Sequence, residues 1–90
     1  QQTVEDHQLN IQAPPNPSLS LFRLAFNSTD PVTPIHSRII DVNGRVVGAF
    51  EKLHPGTIKY VGADFRNGVY FIEAIQGNQH QRIKVIKMGD

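Results

Sequence analysis

Ninety residues, of which 39% are apolar and 19% charged, are enough for one small domain with a single core and too few for a second domain. The formal net charge of +1 offers no general field of either sign that would hold nucleic acid or a membrane surface. Cysteine is absent, which excludes a disulfide framework and a thiolate metal site, so packing and backbone hydrogen bonds must stabilise the fold.

The first residues, 1–8, are polar and show no periodicity, which is typical of a flexible linker from a preceding domain. Apolar and polar residues then alternate in 9–13 with the period of a half-buried strand. Three prolines within residues 14–17 follow, and they predict an extended, kinked connector because proline fixes φ and lacks an N–H donor. We therefore expect a linker at 1–8 and a folded domain at 9–88.

The rest of the chain is a series of short alternating stretches separated by turn formers. The alternation is clearest in 19–27, where Phe22, Leu24 and Phe26 share one face and are predicted to be central to the core. The other predicted strands are 35–42, 45–51, 57–61, 68–75 and 82–87. Seven short strands without any helical period predict an all-β, immunoglobulin-like antiparallel β-sandwich.

Two turns are marked especially clearly. Asn43-Gly44 is a strong hairpin signal because both residues tolerate positive φ, and Asp41 can cap that turn with its side-chain oxygen. Gly77-Asn78 reverses the chain between the last two strands. The third and fourth strands, and the sixth and seventh, are therefore predicted to pair as hairpins.

The closing hairpin is expected to complete the core. In the sixth strand, Tyr70, Ile72 and Ala74 are predicted to face inward, since the opposite set contains a glutamate. In the last strand the inward residues are predicted to be Ile83 and Val85, whereas Arg82, Lys84 and Lys87 are expected to form a basic outer face. Exposed basic side chains there would also discourage pairing with the edge of another chain.

Side chains that could carry catalysis are scattered along the chain. The histidines show no ligand spacing, and they are His7, His36, His54 and His80. No serine lies in a Gly-x-Ser-x-Gly nucleophile elbow, and the glycines occur one per turn or strand instead of in a phosphate-binding loop. The sequence predicts a domain that is not an enzyme and has no metal site or cofactor.

Four motifs occur in one order along residues 13–88: Pro15-Asn16-Pro17, Asp41-Val42-Asn43-Gly44-Arg45-Val46-Val47, Asn67-Gly68-Val69-Tyr70 and Lys84-Val85-Ile86-Lys87. Each motif alone is weak, because Asp-x-x-Gly turns occur throughout β proteins. All four together make the sequence resemble the C-terminal sorting domain of the type IX (Por) secretion system. The resemblance extends over nearly the whole chain.

The resemblance implies a sorting signal and not an enzyme. Domains of this family are immunoglobulin-like sandwiches at the C-terminus of proteins exported by bacteria of the Bacteroidetes group. The expected partners are an N-terminal cargo domain, the type IX translocon, outer-membrane shuttle proteins and a cell-surface sortase, with no nucleic acid and no direct membrane span. The expected locations are the periplasm in transit and then the cell surface or the medium. Any cleavage is expected within 1–13.

The family pattern transfers to specific positions, which the resemblance marks as residues that the translocon recognises. They are Pro15, Asn16, Pro17, Asp41, Gly44, Arg45, Gly68, Tyr70, Lys84 and Lys87. Two departures stand out. Phe65 occupies a position where the family usually has leucine, a change that a core tolerates. The chain also continues past Lys87 to residue 90, where members of the family commonly stop.

The same residues also allow other interpretations. The motif glycines can be explained by turn conformation alone, and Tyr70 can be a core aromatic whose hydroxyl reaches a partner at the rim. An exposed basic terminal strand could add to a receptor's sheet edge or meet an acidic surface. A fibronectin-like or carbohydrate-binding accessory domain would require exposed aromatic side chains, for which the candidates are Phe50, Tyr60, Phe65 and Phe71. A purely structural spacer would have no partner.

Overall fold

The computed structural model describes residues 8–89, in which the chain forms seven strands. They are β1 (Leu9–Gln12), β2 (Phe22–Ser28), β3 (Ile35–Asp41), β4 (Val46–Leu53), β5 (Thr57–Val61), β6 (Gly68–Gln76) and β7 (Gln79–Lys87). All seven predicted strands are present. The predicted linker, 1–8, lies outside the described residues except for Gln8.

The strands form two antiparallel sheets that pack face to face. One sheet has the order β1-β2-β5 and the other has the order β4-β3-β6-β7. Both predicted hairpins pair as expected, β3 with β4 and β6 with β7. Two sheets that each bury one face are the architecture of an immunoglobulin-like sandwich, so the predicted fold class is confirmed.

The core lies between the sheets and comes from the inward half of each alternating strand. Phe22, Leu24 and Phe26 supply the side of the three-stranded sheet, and all three are fully buried, as predicted. The four-stranded sheet contributes mainly the β-branched residues Ile35, Ile39, Ile72 and Val85 together with Ala74. Such residues fit a pleated, half-buried surface, which is why these segments form strands and not helices.

Sheet edges in this fold are blocked in different ways. Lys59 on the edge strand β5 lies opposite Leu24 on the core side of its sheet, and its ammonium is 5.5 Å from the centre of the Phe50 ring. The register of β4 against β3 shifts twice, which makes that edge irregular. Inward-pointing charges and bulges are both features that keep edge strands from pairing with other chains.

The prediction that Lys87 faces outward is wrong. Lys87 has the same parity in β7 as Ile83 and Val85, because side chains alternate with a period of two, and it is only 5% exposed. Lys84, by contrast, is exposed as predicted. The outer face of β7 is therefore basic through Arg82 and Lys84 alone.

Within residues 8–89 no helix is long and apolar enough to cross a membrane.

Candidate functional site

The middle motif is a hairpin turn between β3 and β4, built around the side chain of Asp41. Its Oδ1 accepts the backbone N–H groups of Asn43 and Arg45, both at 2.9 Å. The guanidinium Nε of Arg45 lies 3.3 Å from Oδ2 of the same carboxylate. Gly44 has a φ of +84°, a conformation that favours glycine, and its N–H donates to the Asp41 carbonyl at 3.0 Å. The N–H groups of Asn43, Gly44 and Arg45 are thus all bonded to Asp41, with the predicted cap in place.

These contacts make the turn sensitive to pH. The backbone hydrogen bond from Arg45 is the main cause that lowers the pKa of Asp41 below its ordinary value, assisted by the hydrogen bond from Asn43 and the Arg45 charge. A lowered pKa in the folded state means that ionised Asp41 stabilises the fold above its ordinary pKa of about 4. That contribution is lost as the pH falls through the lowered pKa.

We therefore expect Asp41→Asn to be less stable than the wild type at pH 7, with the difference shrinking below about pH 4. The asparagine keeps a side-chain oxygen that can accept hydrogen bonds but cannot carry the charge. Urea unfolding of both proteins at pH 7 and pH 3 measures the effect. An equal stability difference at the two pH values would contradict this role of the charge.

The late motif places Tyr70 beneath the loop 62–67 that precedes β6. The Tyr70 hydroxyl donates to the Arg66 carbonyl at 2.7 Å, and the ring stacks on Phe65 with centroids 4.5 Å apart. A tyrosine near the start of this strand, bonded to backbone a few residues upstream, is the tyrosine corner of immunoglobulin-like sandwiches. Gly68 has a φ of +152° with no atom within 4 Å of an added Cβ, so its backbone conformation and not crowding favours glycine.

The middle turn and the late loop lie side by side at one end of the sandwich, which we call the motif end (residues 41–45 and 62–68). Asp41 pairs with Tyr70 in the register of β3 and β6, which brings the two segments together. Between them is a groove of about 390 Å³. Its charged lining residues are Asp41, Arg45, Asp64 and Arg66, so both signs are present in equal number. A groove of this kind can offer hydrogen bonds of either polarity to a protein partner.

Lys87 reaches the motif end from inside the fold. It pairs with Gly68 in the register of β6 and β7, and its ammonium donates to the carbonyl oxygens of Gly62 and Phe65, the latter at 3.4 Å. The side chain thereby ties the late loop to the last strand. A buried ammonium needs such acceptors, because transfer of a charge out of water is otherwise very costly. In the folded domain Lys87 holds the loop and is not available to a partner.

The opening motif runs parallel to the outer edge of β7. The Asn16 side chain donates to the Lys84 carbonyl and accepts the Ile86 N–H, both at 2.9 Å. Ser18 continues the pairing: its N–H donates to the Ile86 carbonyl at 2.9 Å, and its carbonyl accepts the Met88 N–H at 2.8 Å. These groups take the place of a neighbouring strand along 84–88. The hypothesis that this part of the terminal strand adds to a receptor's sheet edge is therefore wrong.

We expect Asn16→Ala to open this edge locally. The Ile86 N–H loses its acceptor, and its hydrogen exchange should accelerate by roughly fivefold, since a hydrogen bond of about 1 kcal/mol is removed. Exchange of the Ile72 amide, at the centre of β6, serves as the internal control and should not change. Equal protection of the Ile86 amide in both proteins would contradict the edge-capping role of Asn16.

The structure divides the predicted site residues into three groups. Asp41, Gly44, Arg45, Gly68, Tyr70 and Lys87 meet at the motif end. Pro15, Asn16 and Pro17 are exposed and lie along the edge of β7, whereas Lys84 is on the outer face of the four-stranded sheet. Tyr70 and Lys87 are buried, so their contribution to a recognised surface is indirect.

Two further residues contribute to the site but were not among the predicted site residues. Ser18 is buried and forms the bridge to β7, and its only signal is its position directly after the proline motif. Asn67 forms a two-point clamp on Gly89, donating to its carbonyl at 2.5 Å and accepting its N–H at 2.9 Å. Residues beyond Lys87 are thus held against the motif end.

Among residues 8–89, no three His, Asp or Glu side chains lie close enough together to hold a metal ion.

The sequence also matches a known protein family. A family model described as a secretion system C-terminal sorting domain matches residues 12–88. The match begins at the last residue of β1 and includes all of β2 to β7, together with the four motifs. No curated protein matches the chain. Because the family model covers most of the sequence, this chain belongs to the family of C-terminal sorting domains of the type IX (Por) secretion system.

Proposed function

We propose that this domain is a noncatalytic sorting signal, which directs a cargo protein attached at its N-terminus across the outer membrane through the type IX translocon. The observation that carries the proposal is the family match over residues 12–88. Members of this family are sorting signals, and such a domain implies export to the cell surface or secretion.

The geometry supports recognition of a folded domain over recognition of an extended peptide. Asp41 and Gly44 build a turn, Tyr70 anchors a loop, and Asn16 caps a strand edge. Each of these residues belongs to a family motif, yet each has a structural task that exists only in the folded state. We infer that the motifs shape the surface that the translocon and the outer-membrane shuttle proteins contact after the cargo reaches the periplasm.

A fluorescent cargo fused to residues 1–90 tests this function in a bacterium that has the secretion system. We expect the fusion to reach the surface or the medium, where externally added protease can digest it. The matched control is the same cargo without the domain, which should stay in the periplasm. Retention of the fusion with its domain folded and intact would refute the proposal.

We expect that a surface sortase would cut the chain before β1, so that β1 stays part of the released domain. Leu9 and Ile11 are buried in the core, and β1 pairs with β2 along 9–12, so its bonds are not free to enter an active site. Within the expected range of 1–13, we therefore propose that cleavage occurs at a bond before Leu9. Mass spectrometry of the domain recovered from a culture locates the cut. A folded product that begins after Leu9 would contradict this prediction.

The carbohydrate-binding alternative required a row of exposed aromatic side chains. Among its four candidates, Phe50, Phe65 and Phe71 are half-buried, and only Tyr60, at 62%, is well exposed. Phe50 and Phe65 pack against the core, and the Arg82 guanidinium lies 4.5 Å from the centre of the Phe71 ring. One exposed ring is a weak platform for a sugar chain, so a glycan array probed with the domain should give no specific signal.

A further inference from the structure

The face of the four-stranded sheet that points away from the core, here called the outer face, carries two ordered rows of side chains. The strand registers align Val46, Ile40, Phe71 and Lys84 in one row across the sheet, and Ala49, Arg38, Glu73 and Arg82 in the next. The first row is apolar until it reaches β7, where it ends in a lysine. The second row is mainly charged.

Positive charge exceeds negative charge on the β3, β6 and β7 part of this face. The Glu73 carboxylate lies 2.8 Å from Arg38 and 3.9 Å from Arg82, so one carboxylate serves two guanidinium groups. Lys84 adds a further cation and, within residues 8–89, its side chain has no hydrogen bond or ion pair. Among residues 8–89, Glu51 on the far edge strand β4 is the other carboxylate that lines this surface. A protein with a net charge of +1 thus concentrates cations here.

Apolar atoms lie beside these cations without protruding from the sheet. Phe71, Val69 and Ile86 are half-buried, and the Arg82 guanidinium lies over the Phe71 ring at 4.5 Å. An arginine stacked on an aromatic ring keeps its remaining donors free for carboxylates. The arrangement has the composition of a protein interface, with aromatic and arginine side chains next to partly buried apolar area.

The geometry points to the outer face as a docking surface for a protein of the export machinery that presents carboxylates around apolar side chains. This inference rests on the proposed function. Because Asn16 and Ser18 occupy the edge of β7 along 84–88, a partner there meets the face of the sheet and does not extend it. Opposite charge on the partner would then steer the encounter and set its orientation.

The size and shape of the face favour a brief contact between proteins over binding to lipid. Four strands about 4.8 Å apart, with about six residues each at about 3.3 Å per residue, give a face of roughly 400 Å². This is at the low end for protein pairs and suits a cargo that is handed on. Recognition of anionic lipid commonly uses clusters of about 4–8 lysines and arginines, more than the three cations present here.

Two variants of the cargo fusion test the docking surface, and both are expected to preserve the sheet because they change side chains on its outer face. Lys84→Glu reverses a charge that has no side-chain partner among residues 8–89. Arg38→Gln/Glu73→Gln/Arg82→Gln replaces the charged row with neutral amides and leaves no unpaired carboxylate. Arg23→Glu is the matched control, because Arg23 is exposed on the three-stranded sheet and makes no side-chain ion pair in the described chain. Circular dichroism and thermal unfolding of each purified variant establish that it folds.

The readout is the fraction of cargo that externally added protease can digest. We expect Lys84→Glu to lower the initial rate of export roughly tenfold and the triple variant to lower it severalfold, with no change for Arg23→Glu. Export of the wild type together with equal export of both folded variants would overturn this inference and leave the proposed function standing. Failure of the wild type itself would refute the proposed function. Binding of the purified domain to phosphatidylglycerol vesicles that is abolished by Lys84→Glu would also overturn the inference, in favour of a lipid partner.

Discussion

Tyr70→Ala is expected to lower the free energy of unfolding by about 4 kcal/mol, the typical cost of removing a large aromatic side chain from a core. The substitution empties the space under loop 62–67, removes the stacking partner of Phe65 and leaves the Arg66 carbonyl without its hydroxyl donor. Urea denaturation of the purified domain at pH 7 measures the loss. A loss below about 1 kcal/mol would show that Tyr70 does not anchor this end of the core.

Tyr70→Phe separates the hydroxyl from the ring. It keeps the buried ring and its stacking on Phe65, and removes only the hydrogen bond to Arg66. The expected cost is about 1–1.5 kcal/mol, the usual net value of one hydrogen bond. If the phenylalanine variant were as unstable as the alanine variant, the hydroxyl and not the packing of the ring would hold the loop.

Lys87→Ala is expected to lower the free energy of unfolding by about 3 kcal/mol. Hydrogen bonds to a charged group are each worth about 1.5–3 kcal/mol, and this ammonium donates to two backbone carbonyls inside the fold. In a domain of this size the loss corresponds to a decrease in Tm of roughly 12–24 °C. Thermal unfolding followed by far-ultraviolet circular dichroism or by intrinsic tyrosine fluorescence would record it.

Lys84→Ala is the matched control for this experiment, because it removes the same side chain three residues earlier on the same strand. Its side chain is exposed, so the change in stability should stay within about 0.5 kcal/mol. Equal Tm values for the two alanine variants would contradict the role assigned to Lys87. Lys87→Met, which keeps the apolar stem, tests whether the ammonium or the stem carries the effect.

The distinction between the two lysines changes how export experiments should be interpreted. A deletion from Lys84 onward removes the exposed cation of the outer face, but it also removes Lys87 and the residues that Asn16 and Ser18 hold. We expect such a truncation to unfold. Loss of export would then report loss of the fold, whereas a point change at Lys84 tests recognition in an intact domain.

The architecture of this domain could be predicted from the sequence, because the relevant signals are local. A period of two places Phe22, Leu24 and Phe26 on one buried face, and this follows from strand geometry whatever the strand pairs with. Asp41 and Gly44 predict their own turn, since the cap and the positive φ lie within five consecutive residues. The four motifs, taken in order, were sufficient to predict the family.

The roles of several motif residues depend on contacts that form only in the folded domain. Lys87 shares its parity with Ile83 and Val85, but an ammonium is stable inside only if acceptors are present, and these come from the separate loop at Gly62 and Phe65. Asn16 likewise caps β7 through Ile86, 70 positions along the chain. Such roles depend on partners that are distant in sequence and become neighbours only when the two sheets pack, so no local pattern predicts them.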